Sequence, residues 1–245
     1  MKDYKALAEM IFKRKSVRTY SKKHVKLLDE DIDFIEYFNL LPLVKDIRVN
    51  VKLLRKSDVR NAWSEYCIGF YSEEKPFYLE NIGFIGQQID LELQSKGIGT
   101  CWLGLKKPKK FYKYIDGLDC IITMAAGTPQ NQEIRTYPES FNRKSPQDII
   151  IGDTETNRLI QAVSIAPSAV NMQPWLIEKK DNKYNFYMRN PVSFIEKIIT
   201  SMRHIDIGIA MAHFFIQAKA DGAEPVFGFE GNDIEQGKFI ASIQI

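Results

Sequence analysis

Histidine and cysteine are scarce: three of each in 245 residues, at His24, His204 and His213 and at Cys67, Cys101 and Cys120. No two histidines stand four apart, and no thiol or carboxylate cluster accompanies them, which excludes the usual ligand spacings of a metal site. The cysteines are odd in number and lack C-x-x-C spacing, so neither a disulfide framework nor a redox pair is expected. No apolar run approaches the ~20 residues of a membrane span, and the opening MKDYKALAEM is a charged amphipathic segment rather than a signal peptide. Also missing are G-x-S-x-G, a Walker loop and a G-x-G-x-x-G following a strand. A dominant charge is lacking too: 34 Lys and Arg against 31 Asp and Glu leave +3, too balanced to point to nucleic acid. These absences describe a soluble, reduced, cytoplasmic protein, with neither nucleic acid nor membrane as partner, whose chemistry would be carried by a bound cofactor.

What is present supports a packed core, with 44% hydrophobic and 12% aromatic residues. The chain also repeats itself. IGFIGQQIDLELQSKG (82–97) falls without a gap on IGIAMAHFFIQAKADG (207–222), 125 positions later. Each copy opens Ile-Gly, keeps apolar residues at helical spacing and closes on a glycine suited to a helix C-cap. A strand-like piece follows each, at 98–105 and 223–230. Upstream, IDFIEYFNLLP (32–42) falls on NRLIQAVSIAP (157–167) at the same offset. Two helices at about 82–96 and 207–221 are therefore expected to form the centre of an internally duplicated fold. The halves are 1–150 and 151–245, packed as one intertwined unit.

The copies differ where they meet a ligand-like motif. APSAVNMQPW (166–175) sets Ser168, Asn171 and Gln173 on a proline-pinned loop, whereas the first copy carries Leu43 and Asp46 in place of Ser168 and Asn171. A polar kit kept in one copy only suggests a ligand on one side of the pair. Near the start, FKRKSVRTYS gathers Arg14, Lys15, Ser16 and Arg18. An extended backbone would turn Arg14, Ser16 and Arg18 to one side, as a phosphate cradle of two guanidinium forks and a hydroxyl. A second R-K-S, Arg143 to Ser145, is either the opening of the second copy or the closing segment of the first. The basic run LKKPKKFYK (105–113) reads as a solvated loop face, with attraction of a phosphorylated ligand the other possibility. Trp102 and Trp175 read as core or pocket wall, and Cys101 as a small buried apolar residue.

R-K-S-V-R at 14–18, A-P-S-A-V-N-M-Q-P-W at 166–175, G-T-C-W-L-G at 99–104 and A-A-G-T-P at 125–129 together resemble the nitroreductase family of flavin enzymes. The motif order departs from the family, whose serine/asparagine loop follows the basic opening directly. Here it appears only in the second half, as if a dimer had been folded into one chain. The resemblance implies an α+β nitroreductase-like fold: a central antiparallel to mixed sheet flanked by helices, with two repeats forming an internal pseudo-dimer. It implies FMN as cofactor and NADH or NADPH as co-substrate, in an oxidoreductase reducing nitro compounds, quinones or similar small acceptors by ping-pong hydride transfer. Arg14, Ser16 and Arg18 would serve the phosphate with Arg143 as a further partner, and Lys15 would belong to the same cofactor site. Leu103 and Gly104 would lie along the flavin ring, and Pro167, Ser168 and Asn171 would reach the same flavin from across the interface. One complete site per chain follows, in a monomer or a homo-oligomer. No residue stands out as catalytic acid or base, the histidines included. The alternatives are a flavin-binding storage or sensing protein without efficient turnover and a relative that has lost flavin; the retained arginine, serine and asparagine residues argue against the latter.

Overall fold

The structure, a computed structural model, describes residues 2–22, 33–131, 135, 141–152 and 155–245. His24 lies outside them, as does the first residue of the 32–42 segment. After a short helix, α1 (Tyr4–Ile11), two similar runs of elements follow. The first is α2 (Phe34–Tyr37), β1 (Val49–Arg55), β2 (Tyr66–Ser72), α3 (Tyr78–Ser95), β3 (Gly99–Leu103), the two-residue β4 (Tyr114–Ile115) and β5 (Leu118–Gly127). The second, opened by the two-residue β6 (Ile150–Ile151), is α4 (Arg158–Ser164), β7 (Trp175–Lys180), β8 (Lys183–Arg189), the one-turn α5 (Phe194–Ile198), α6 (Thr200–Ala220), β9 (Val226–Gly228) and β10 (Gly237–Gln244).

The strands form two sheets rather than the single central sheet expected. One has the order β1-β2-β5-β3, with β4 beside β5, and the other β6-β7-β8-β10-β9. Without β4 and β6 the two orders are the same, because each half carries its own complete set of antiparallel partners. Among the named strands of the described residues, β6 on β7 is a parallel pair and the others are antiparallel. That pairing sets β6 in the second sheet, so a boundary drawn after residue 150 passes through the strand.

α3 and α6 form the centre, both of them buried along most of their length. Glycine brings them into backbone contact: a Cβ on Gly83 would stand 2.0 Å from the Ile205 carbonyl oxygen, and one on Gly208 2.0 Å from that of Glu80. Gly208 follows Gly83 by 125 positions, as Ile205 follows Glu80, so the contact is reciprocal. The helices end alike. Gly97 and Gly222 take positive φ, +76° and +87°, while Ile98 N–H donates to Leu93 O and Ala223 N–H to Ala218 O, each at 2.9 Å. The first-copy helix expected over 32–42 is a single turn, 34–37. It ends before Asn39, whose left-handed φ of 47° breaks the helix short of the proline.

Candidate functional site

A cavity of about 570 Å³ opens between the halves, within the size range of small-molecule sites. Ser16, Arg18, Leu103 and Gly104 line it from the first half, and Pro167, Ser168 and Ala169 from the second. The R-K-S-V-R segment reaches it because Ser16 bridges Thr100 of β3 and Val17 N–H donates to Thr100 O at 2.8 Å. Trp102, Ile122, Ile205 and Ile209 supply much of the apolar wall. Gly104 admits the Met202 side chain, whose Cε would lie 2.9 Å from any added Cβ.

The second-half loop is held in a strained shape. Val170, Asn171 and Gln173 all take left-handed φ, at 45°, 60° and 52°, unusual for non-glycine residues and most costly for β-branched valine. Local bonds enforce it. Ser168 Oγ accepts from Gln173 N–H at 2.9 Å, and the Gln173 amide accepts from Lys144 N–H at 2.8 Å. Arg143 donates to Asn171 Oδ1 at 2.5 Å and to Ala166 O at 3.0 Å. From α6, Asp206 takes the Ala169 N–H on both carboxylate oxygens, each at 3.1 Å.

Four of the ten residues singled out from sequence therefore stand outside the cavity lining: Arg14, Lys15, Arg143 and Asn171. Arg14 is buried, its Nε 2.9 Å from Asp90 Oδ2 and one Nη donating to Ser16 Oγ at 3.2 Å. Asp90 takes further bonds from Gln87, Gln94 and Thr100. Gln87 in turn meets the Trp102 indole and His213. Arg14 thus anchors a buried network under the cavity instead of facing into it. Burial, with Arg14 and Arg135 nearby, lowers Arg143 to about 10. Three guanidiniums gather there, Arg143 bonded to its loop.

The other residues fall into place around this frame. Burial pushes His213 down to about 3, so its ring is neutral, with Nδ1 2.8 Å from the Ala162 carbonyl. His204 pairs with Glu80 at 2.6 Å. Trp102 forms cavity wall and Trp175 core. Cys101 is buried at the lining, its thiol raised by desolvation. Leu105 and Lys106 reach the cavity mouth, while the rest of the basic run is loop and a single 3-10 turn. Asp206 is the residue that sequence reasoning missed. A lone carboxylate among the apolar residues of 205–216 was the available signal. Among the described residues no group of side chains could hold a metal ion, and no helix is long and apolar enough to cross a membrane.

The model of the family described as "Putative TM nitroreductase" matches residues 6–218. A putative nitroreductase from Thermotoga maritima superposes with a TM-score of 0.66 at 20% identity, covering 97% of this chain and 93% of that one, which establishes a shared fold. A nitroreductase family protein from Clostridium difficile gives a TM-score of 0.47 at 15% identity over 60% of this chain and 98% of its own. A putative NADH dehydrogenase/NAD(P)H nitroreductase from Bacteroides thetaiotaomicron gives 0.42 at 21% identity over 55% and 94%. No curated protein matches the sequence.

Proposed function

The chain belongs to this nitroreductase family, which supports a general oxidoreductase role, and from that premise we propose that it is an FMN-dependent NAD(P)H oxidoreductase acting on nitro compounds, quinones or similar small acceptors. The observation that carries the reading is the convergence of Ser16, Arg18, Leu103, Gly104, Pro167 and Ser168 from distant parts of the sequence on one cavity. The cavity suits a flavin. Its walls are largely apolar, with Met202 packed close over Gly104, and Ser16 and Arg18 supply donors for an anionic tail. Behind them, burial and the nearby Arg14 charge lower the basicity of Arg135 and Arg143, an arrangement that a phosphate would relieve. A bound flavin would supply the hydride-transfer chemistry. The residues of the chain bind and orient it, and the apolar wall limits water around it.

The reading includes an internal duplication with one site per chain, in a monomer. Equal strand orders and reciprocal glycine contacts support the duplication. Aromatic filling supports the single site. Positions matching Gly104 and Met202 are Phe229 and Phe77, with ring centroids 4.8 Å apart, and those matching Trp102 and Ile209 are Phe227 and Phe84, 5.5 Å apart. The test is a visible spectrum of the purified chain with released flavin counted, followed by anaerobic addition of NADH or NADPH. One FMN per chain that bleaches on mixing is expected. Two per chain would refute the single site, and bound flavin that does not bleach would favour a storage or sensing protein.

A further inference from the structure

Asp206 has an internal control. The residue at the same place in the first copy is Asn81, and it makes the same kind of bond: Asn81 Oδ1 accepts from Leu43 and Val44 N–H at 2.8 and 3.1 Å, as the Asp206 carboxylate accepts from Ala169 N–H. Val44 and Ala169 are themselves repeat counterparts. Holding the loop therefore needs only an amide oxygen, and the carboxyl of the second half requires another explanation. The two sites differ in what surrounds the second polar atom. Asn81 Nδ2 is buried without a hydrogen-bond partner, in the half whose corresponding positions hold phenylalanine rings. Asp206 lines the open cavity beside Ser168.

We propose that Asp206 donates a hydrogen bond from its carboxyl to an acceptor atom, a carbonyl oxygen or ring nitrogen, of the ligand bound in this cavity. The identity of that ligand as a flavin rests on the functional reading above; the donor role is a property of the chain. Burial is the dominant influence on this carboxyl and raises it from 3.8 to about 8, against the Ala169 bond and the charges of Arg203 and Arg143. Arg203 lies one turn back on α6 and is drawn off by the Arg189 carbonyl and, at 4.0 Å, by Glu196. Arg143 bonds Asn171 and Ala166. On the α3 side, Glu80 pairs with His204, and Arg18 and Lys106 share the cavity lining. At neutral pH the carboxyl is thus an acid: the Ala169 N–H, which lies 3.1 Å from both oxygens, needs only the carbonyl oxygen, and the hydroxyl of the other oxygen can donate. Its folded pKa lies above its unfolded one, so this group's contribution to stability is complete below about pH 4 and is lost as the pH rises through about 8.

The experiment compares wild type with Asp206→Asn, which the Asn81 pairing indicates will fold. Infrared difference spectra on ¹³C-aspartate-labelled protein without ligand should show a protonated-carboxyl band at pH 6.5 that disappears by pH 9.5 and is absent from Asp206→Asn. The melting temperature of wild type should fall relative to the variant between pH 5 and 8. FMN titrated by fluorescence should then bind wild type at least tenfold more weakly at pH 9.5 than at 7, while the variant changes far less, any titration of FMN itself being common to both. A missing band at pH 6.5, or identical pH profiles of FMN affinity in the two proteins, overturns the proposal. If FMN binds neither protein, the flavin reading fails, and the donor role toward it fails as well. The ligand-free band separates that outcome from a carboxyl that was never protonated.

Discussion

Two arginines of one short motif stand in opposite surroundings, and burial separates them. Arg14 faces Asp90 with both side chains about 1% exposed, whereas Arg18 reaches the cavity lining. Removing Arg14 would strand a buried carboxylate, which costs about 3–5 kcal/mol where a buried pair is broken. Arg14→Ala is expected to lose stability of that order in urea unfolding. Arg18→Ala should leave the urea midpoint nearly unchanged and, on the proposed flavin reading, weaken FMN binding several-fold or more. Equal losses of stability in both variants would show that the two residues were wrongly distinguished. The sequence could present Arg14, Ser16 and Arg18 as one cradle because an extended backbone turns alternate side chains together. It could not reveal that Asp90, on a helix more than seventy residues later, takes the first of them. Asp206 escaped for the same reason: its partner, the Ala169 N–H, is a backbone group that only the fold brings near.

At the scale of elements, the centre of the molecule is a helix pair whose separation is set by absent side chains. A Cβ at Gly83 or Gly208 would run into backbone of the opposite helix, which cannot swing away as a side chain can. Gly83→Ala and Gly208→Ala should each cost about 1–3 kcal/mol or more, the range for overpacked cores, and by the reciprocity of the contacts the two losses should match. Chemical denaturation of both variants is the check, and a neutral result at either position would contradict so close an approach. These helices were legible because their apolar spacing, Ile-Gly openings and closing glycines are local signals. The helix expected over 32–42 was not, because its alignment with 157–167 matched apolar residues and proline but said nothing of Asn39 turning left-handed. The two sheets were likewise hidden: strand pairing joins β2 to β5 and β8 to β10, across intervening helices, and no short window contains it.

At the scale of the whole molecule, neither half is complete without the other. α1, from the first half, packs on α6 of the second as well as on α3, and a single apolar cluster runs from Leu7 through Phe84 to Phe214 and Ile243. The α3 face that α6 covers would be open to water in a 1–150 fragment, and Ile150 of β6 would lose its β7 partner. Burial of apolar area at about 25 cal/mol per Å² is the main favourable term opposing chain entropy, and a fragment deprived of its central interface forfeits much of it. The intact chain should therefore unfold in one cooperative transition, with circular dichroism and tryptophan fluorescence coinciding, while fragment 1–150 alone should show no cooperative transition. Two separated transitions, or an independently folded fragment, would mean that the halves are autonomous domains in contact. The cavity then would be a cleft between movable bodies. With one transition it is a fixed feature of a single core, in which the Ser168 loop and the Arg18 segment are held in register by the same helix pair.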